Sequence, residues 1–400
     1  MESGSVLVDL FALFAAAKIL GELFEYARQP PVVGELLGGI VVGPHALGLV
    51  GADSEPFLAV LAELGVIILL FTVGLETSLG ELRRVGRPAL FVGVAGAALP
   101  FAAGGALTVA LGYSRGEVLF VAAAMMATSV GVTARTLRDL GAVRTAVARV
   151  VLGAAVVDDI LAILVLALVA GLTVGNLSEI GLVLTVLEVA VFLVIVVAAG
   201  PRVVRRVSEL THLPVVPGSP FVFAVLLTLG LAALSEVVGL AAIIGAFLAG
   251  LIIEIRREEI AGQVQPVYEL LVPFFFAFTG SRLDPTVFAQ GAIIGLIAGV
   301  TVLAVLTKLA GGYAGAVGLG RRARLAVGVG MVPRGEVGLI VASLGIGLGV
   351  IGQELFGVVV GMTVLTTIAT PPVLAPIITR LRRTETGPAE RGRRGDTVEG

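Results

Sequence analysis

The sequence predicts an all-α polytopic membrane protein of about 13 transmembrane helices. Three observations predict it. Of the 400 residues, 57% are hydrophobic and only 14% are charged, where a soluble domain carries roughly 25% charged residues; mean hydropathy is +1.07. Apolar runs of about 20 residues, the length that crosses a bilayer, recur from one end of the chain to the other. The basic residues, finally, sort to alternate connections.

Taken in order, the spans read as 5–26, 31–50, 57–79, 87–111, 115–140, 143–171, 177–200, 219–237, 239–254, 262–280, 286–318, 321–349 and 353–379, each bounded by charge or by Gly/Pro breaks. The first follows MESGSVLVDL, acidic rather than basic, and so reads as a retained helix instead of a cleaved signal peptide. With the N-terminus outside, the segments on the cytoplasmic side hold Arg28, the groups at 83–87, 135–149, 202–206, 256–257 and 321–324, and the arginines from Arg380 onward. That is 22 of the 27 Lys and Arg residues, against two (Arg115 and Arg282) in external segments. A 22-to-2 split supports both the count and the orientation by the positive-inside rule. The expected location is the cell inner membrane, with both the longest loop (about 201–218) and a disordered tail (381–400) on the cytoplasmic side.

The composition also excludes chemistry. The chain has no cysteine, so disulfides, thiolate metal sites and cysteine nucleophiles are ruled out together. Net charge of −2 offers nothing to nucleic acid. No soluble segment interrupts the spans, so no nucleotide-binding or catalytic domain is expected, nor any cofactor.

Three ionisable residues lie where lipid makes them costly, about 2.5–3.5 kcal/mol each on insertion scales. Asp158 and Asp159 sit in the middle of VLGAAVVDDILAILVLALVAG, with about fifteen helical residues before the pair and about twelve after it. Neighbours on a helix point about 100° apart, so the two carboxylates address different partners and cannot face each other across one proton. Lys308, in VTVLAVLTKLAGGYAGAVG, has a midplane carboxylate as its natural partner, and such a pair is a candidate proton switch; the alternative is a lysine snorkelling inward over Gly311 and Gly312.

Arg334 and Glu336 flank Gly335 after Pro333, a sequence that disfavours continuous helix. The expectation is a break whose exposed backbone dipoles the two charges neutralise, with a plain intrahelical pair as the alternative. Glu188 reads as a packing residue, Lys18 and Glu22 as a local i,i+4 ion pair, and His45 and His212 as solvated loop residues.

A second interruption is expected in the fifth span, where Thr128 and Ser129 precede Gly131 and supply hydroxyl and carbonyl oxygens. Grouping spans 1–6 and 8–13 as two six-helix units, with span 7 between them, puts one interruption in the fifth member of each. The units are then inverted, and interrupted segments at matching places in inverted halves point to a transporter site.

Several stretches together, QPPVVGELLGGIVVGP (29–44), LGVIILLFTVGLETSL (64–79), VVDDI (156–160), the Lys308 helix and PRGEVGLIVA (333–342), resemble the monovalent cation:proton antiporter superfamily. The resemblance covers about residues 10–380 and is nearest to the branch holding the Kef-type and NapA-type proteins. It implies the NhaA/NapA-like fold with crossing broken helices, and a homodimer. In each protomer the core domain would be about 87–171 and 286–349, the dimerisation domain about 5–79 and 219–280, and 177–200 the linker. It further implies Asp159 as principal ion ligand, Asp158 in a salt bridge with Lys308, and Na⁺ held at Asp159 and Thr128 with Ser129 beside them. Kef-type proteins tend to carry Gln where Asp158 stands, which favours the NapA-like pattern.

The function expected is exchange of Na⁺ (or Li⁺) for H⁺ by a secondary transporter, driven by membrane potential if two protons move per cation. The nearest alternative is a K⁺/H⁺ antiporter. A cation channel is disfavoured by Lys308 beside the pathway, and an intramembrane aspartyl protease by two Asp residues on one helix.

Overall fold

The computed structural model describes residues 3–76, 86–142, 145–174, 179–210, 219–238, 241–253 and 256–385. Among them the regular structure is helical throughout, apart from short turns, and no strand occurs. The first five helices are α1 (Ser3–Tyr26), α2 (Pro31–Val42), α3 (Glu55–Glu76), α4 (Arg87–Ala110) and α5 (Arg115–Met126). Then come α6 (Val130–Asp139), α7 (Ala146–Val174), α8 (Glu179–Leu210), α9 (Ser219–Val237) and α10 (Ala242–Ile252). The last five are α11 (Arg257–Ser281), α12 (Gly291–Gly315), α13 (Arg321–Gly330), α14 (Glu336–Gly347) and α15 (Gln353–Glu385). Pairs α5/α6 and α13/α14 are each one interrupted span, so the 15 helices among the described residues are compatible with about 13 spans.

Helix starts follow local chemistry. Proline occupies the first turn of α2 and α4, where its missing N–H costs nothing. At α5, Ser114 accepts from Glu117 N while Glu117 accepts from Ser114 N, a reciprocal capping box.

Several boundaries differ from the sequence reading. The second span stops at Val42, because Gly43 is extended and precedes Pro44, and a residue before proline disfavours the helical region. The span read as 286–318 opens with a 3₁₀ turn, Pro285–Ala289, ahead of α12. Helix α8 runs through Pro201 to Leu210, so most of the expected loop 201–218 is helical and 211–218 lie outside the described residues. The polar tail begins later than expected: α15 continues to Glu385, and 386–400 lie outside the described residues.

Close packing runs within two groups of helices. In one, α1, α2, α3, α9, α10 and α11 pack on one another; in the other, α4 to α7 and α12 to α15 do; α8 touches α10 of the first and α7 of the second. Helix α4 is the hub of the second group. A Cβ on Gly315 of α12 would lie 2.6 Å from Val92 Cα, and one on Gly93 of α4 would lie 2.6 Å from Val157 Cβ. Glycine at these contacts lets α7, α4 and α12 approach at backbone distance, as small residues do in membrane bundles.

Candidate functional site

The two helix breaks, 127–129 and 331–335, meet in the second group. Ser129 N donates to Pro333 O at 2.8 Å, and Thr133 Oγ1 donates to Gly330 O at 2.6 Å. Four half-helix ends therefore converge: the C-termini of α5 and α13, rich in free carbonyls, and the N-termini of α6 and α14, rich in free N–H groups.

Charge is placed accordingly. Arg334 is fully buried; its guanidinium donates to Val332 O at 2.6 Å and to Ala304 O at 3.2 Å. Glu336 opens α14, at the positive end of that half-helix, and accepts from Ser129 Oγ at 2.8 Å. The intrahelical Arg334–Glu336 pair, the alternative from sequence, does not form.

The break itself is held by α15. Thr366 Oγ1 accepts from Arg334 N at 3.2 Å, and Thr367 Oγ1 donates to Arg334 O. Unwound backbone at membrane depth is tolerable only when protein satisfies it in this way.

Asp158 and Asp159 diverge as the helical geometry requires. Asp158 and Lys308 are both fully buried, and Lys308 Nζ donates to Asp158 Oδ1 at 2.6 Å. The pair spans α7 and α12 across the glycine seam of α4; a Cβ at Gly96 would stand 3.8 Å from Lys308 Nζ. Asp158 Oδ2 has no partner. Desolvating both charges costs several kcal/mol per ion, recovered only by short, well-aligned contact.

Asp159 points the other way, into a cavity of about 870 Å³ between the two helix groups. Its wall includes Glu25, Leu36, Thr72, Glu76, Gln265 and Tyr268 from the first group, and Ser129, Asp159, Glu336, Thr363 and Thr367 from the second. Four of these are carboxylates, Glu25, Glu76, Asp159 and Glu336, and no Lys, Arg or His is among the described lining residues. A pocket of this sign concentrates cations and repels anions.

The structure thus brings Asp158, Asp159, Lys308, Ser129, Arg334 and Glu336 to one centre. Thr128 is buried at its edge, without a hydrogen-bond partner and without lining the cavity. Lys18, half-buried, and Glu22, exposed, form no ion pair. His45 is exposed in the turn after α2. The Glu188 side chain and His212 lie outside the described residues. The sequence reading passed over Glu76 and the hydroxyl row Thr363, Thr366, Thr367 and Thr370. The row was legible as threonines at i, i+3, i+4 and i+7, one face of an otherwise apolar helix.

Comparisons with known proteins point to one family. Residues 10–380 match the family described as sodium/hydrogen exchanger, transmembrane. The Na(+)/H(+)-K(+) antiporter GerN of Bacillus cereus is 36% identical over 371 residues, covering 90% of this chain and 93% of that one. The high-affinity Na(+)/H(+) antiporter NhaS3 of Synechocystis is 32% identical over 422 residues, covering 95% and 91%. The sodium proton antiporter MjNhaP1 from Methanocaldococcus jannaschii shares the fold with a TM-score of 0.75 at 18% identity, over 95% of this chain and 99% of that one.

Proposed function

We propose, for a chain that belongs to the sodium/hydrogen exchanger family, that it exchanges Na⁺ for H⁺ across the membrane as a secondary transporter and not as an enzyme. The observation that carries the reading is Asp159 at the end of a wide cavity lined by four carboxylates and by no basic side chain among the described residues. Such a wall admits a cation and a proton to the same oxygen atoms and makes them compete.

The residues divide the work. Asp159 is the principal ligand, exchanging its proton for the cation. Ser129 and Glu336 supply further oxygens at the crossing, and Thr128 holds a buried hydroxyl behind them that can turn toward an ion lodged in the break. Asp158 and Lys308 form the second proton-handling unit: a proton leaving the lysine as the cation arrives at Asp159 makes two protons move per Na⁺. The cycle then transfers net charge and is driven by membrane potential, about 2.3 kcal/mol per charge per 100 mV. Arg334 stays bound to carbonyls throughout and keeps the break open without competing for the site.

The group holding α4–α7 and α12–α15 is the moving core, and the group of α1–α3 and α9–α11 the static scaffold and dimer-forming part, with α8 linking them. Among the lining residues, Glu25 precedes Arg28 by three positions and Gln265 follows Arg257 by eight, and the positive-inside rule assigns those arginine-bearing connections to the cytoplasm of the inner membrane. This supports reading the cavity as the cytoplasmic access route. Away from this cavity, Gln353 donates to Arg282 O at 2.9 Å and accepts from Asp284 N at 3.3 Å, tying the start of α15 to the end of α11.

The test is Na⁺-stimulated dequenching of a pH dye in everted vesicles. Wild-type protein gives cation-dependent proton movement and Asp159→Asn gives none; full activity in Asp159→Asn refutes the ligand role.

A further inference from the structure

The crossing supplies charge in plenty but few uncommitted neutral oxygens. The Ser129 hydroxyl proton already goes to Glu336, and that of Thr367 to the Arg334 carbonyl. Thr363 differs. Other buried helical threonines, Thr108, Thr136, Thr228, Thr366 and Thr370, each donate to the carbonyl four residues back, the ordinary way a threonine satisfies itself in an apolar helix. Thr363 is 3% exposed, and its hydroxyl has no partner.

It also lines the cavity that Asp159 and Glu336 line. Thr128, Thr279 and Thr301 have unpartnered hydroxyls too, but none of them lines it. A Cβ on Gly338 would lie 3.6 Å from Thr363 Oγ1, so the hydroxyl sits over the first turn of α14, the turn that Glu336 opens. An unsatisfied buried hydroxyl costs about 1–3 kcal/mol, a cost removed when a ligand or its water fills the place.

We propose that Thr363 is a specificity-determining residue, its hydroxyl oxygen coordinating the transported monovalent cation directly or through one water. The inference rests on the antiporter reading above. A cation entering the site sheds waters and needs oxygens in their place. Dehydration is most costly for the smallest ion, so an added neutral oxygen favours Li⁺ and Na⁺ over K⁺.

The experiment compares Thr363→Val, which keeps the shape and loses the oxygen, with Thr363→Ser, which keeps the oxygen. Purified full-length protein in proteoliposomes is assayed with a pH dye for apparent KM and maximal rate with Li⁺, Na⁺ and K⁺. Thr363→Val is expected to raise the KM for Na⁺ and Li⁺ about fivefold or more relative to that for K⁺, as loss of one hydrogen-bond-strength contact does. Thr363→Ser restores the wild-type order of the three KM values. An unchanged KM ratio in Thr363→Val overturns the proposal, as does an equal fall in rate for all three cations or a failure of Ser to rescue. Should Val not fold, Thr363→Ala carries the same comparison. A wild-type protein that moves no protons with any cation refutes the antiporter reading, a result distinct from an unchanged ratio.

Discussion

Removing Lys308 while leaving Asp158 in place strands a carboxylate in the fully buried seam between α7, α4 and α12. The two groups are 2.6 Å apart and neither is exposed, so no water can take over when one is lost. Breaking such a pair from one side costs about 3–5 kcal/mol, while removing both charges is often neutral. Lys308→Met matches the length of the lysine stem; the companion change is Asp158→Asn, and the double variant closes a thermodynamic cycle. At roughly 2 °C per kcal/mol, the low end for larger chains, the apparent midpoint of Lys308→Met falls by about 6–10 °C and the double variant recovers most of the loss. The assay is thermal unfolding in detergent followed by size-exclusion chromatography at one fixed heating time, because unfolding of such proteins is commonly irreversible. A Lys308→Met midpoint within experimental scatter of wild type, or a double variant no more stable than the single, refutes the claim that the pair is closed to water and mutually dependent.

Three further outcomes are expected. Imposing a potential of opposite sign across proteoliposomes should change the exchange rate, and indifference to it would indicate electroneutral one-for-one exchange. Arg334→Met leaves Val332 O and Ala304 O without their charged donor, at about 1.5–3 kcal/mol per bond; a large fall in thermal stability is the readout, and a stable, active variant would show that the break does not depend on it. Gly315→Leu places a Cβ 2.6 Å from Val92 Cα, wedging α12 off α4; transport measured in vesicles should be lost even though position 315 carries no charge, and retained rate would show that the seam does not set the Asp158–Lys308 register.

Some of the site was legible because its cause is local. The divergence of Asp158 from Asp159 follows from 100° per residue along α7 and needs no tertiary information. The break at 331–335 follows from Pro333 and Gly335, and the pairing of two breaks from the order of spans. The short second helix was misread because hydropathy continues past Val42 while Pro44 stops the backbone. The Lys18–Glu22 pair was misread because i,i+4 spacing permits an ion pair without compelling one.

The sequence by itself determined the all-helical membrane class, the interrupted segments and the three charges that demand a role, because hydropathy, proline geometry and helical periodicity act within a few residues. Tertiary structure decided which side chains share an oxygen-lined cavity. Ser129 meets Glu336 across 207 positions, and α15 brings its threonines to the break at 331–335, while the Lys308–Asp158 contact across 150 positions was expected only through the family resemblance. Those meetings depend on how closely glycine seams let helices approach and how far each helix is rotated, quantities set by packing among elements distant in sequence.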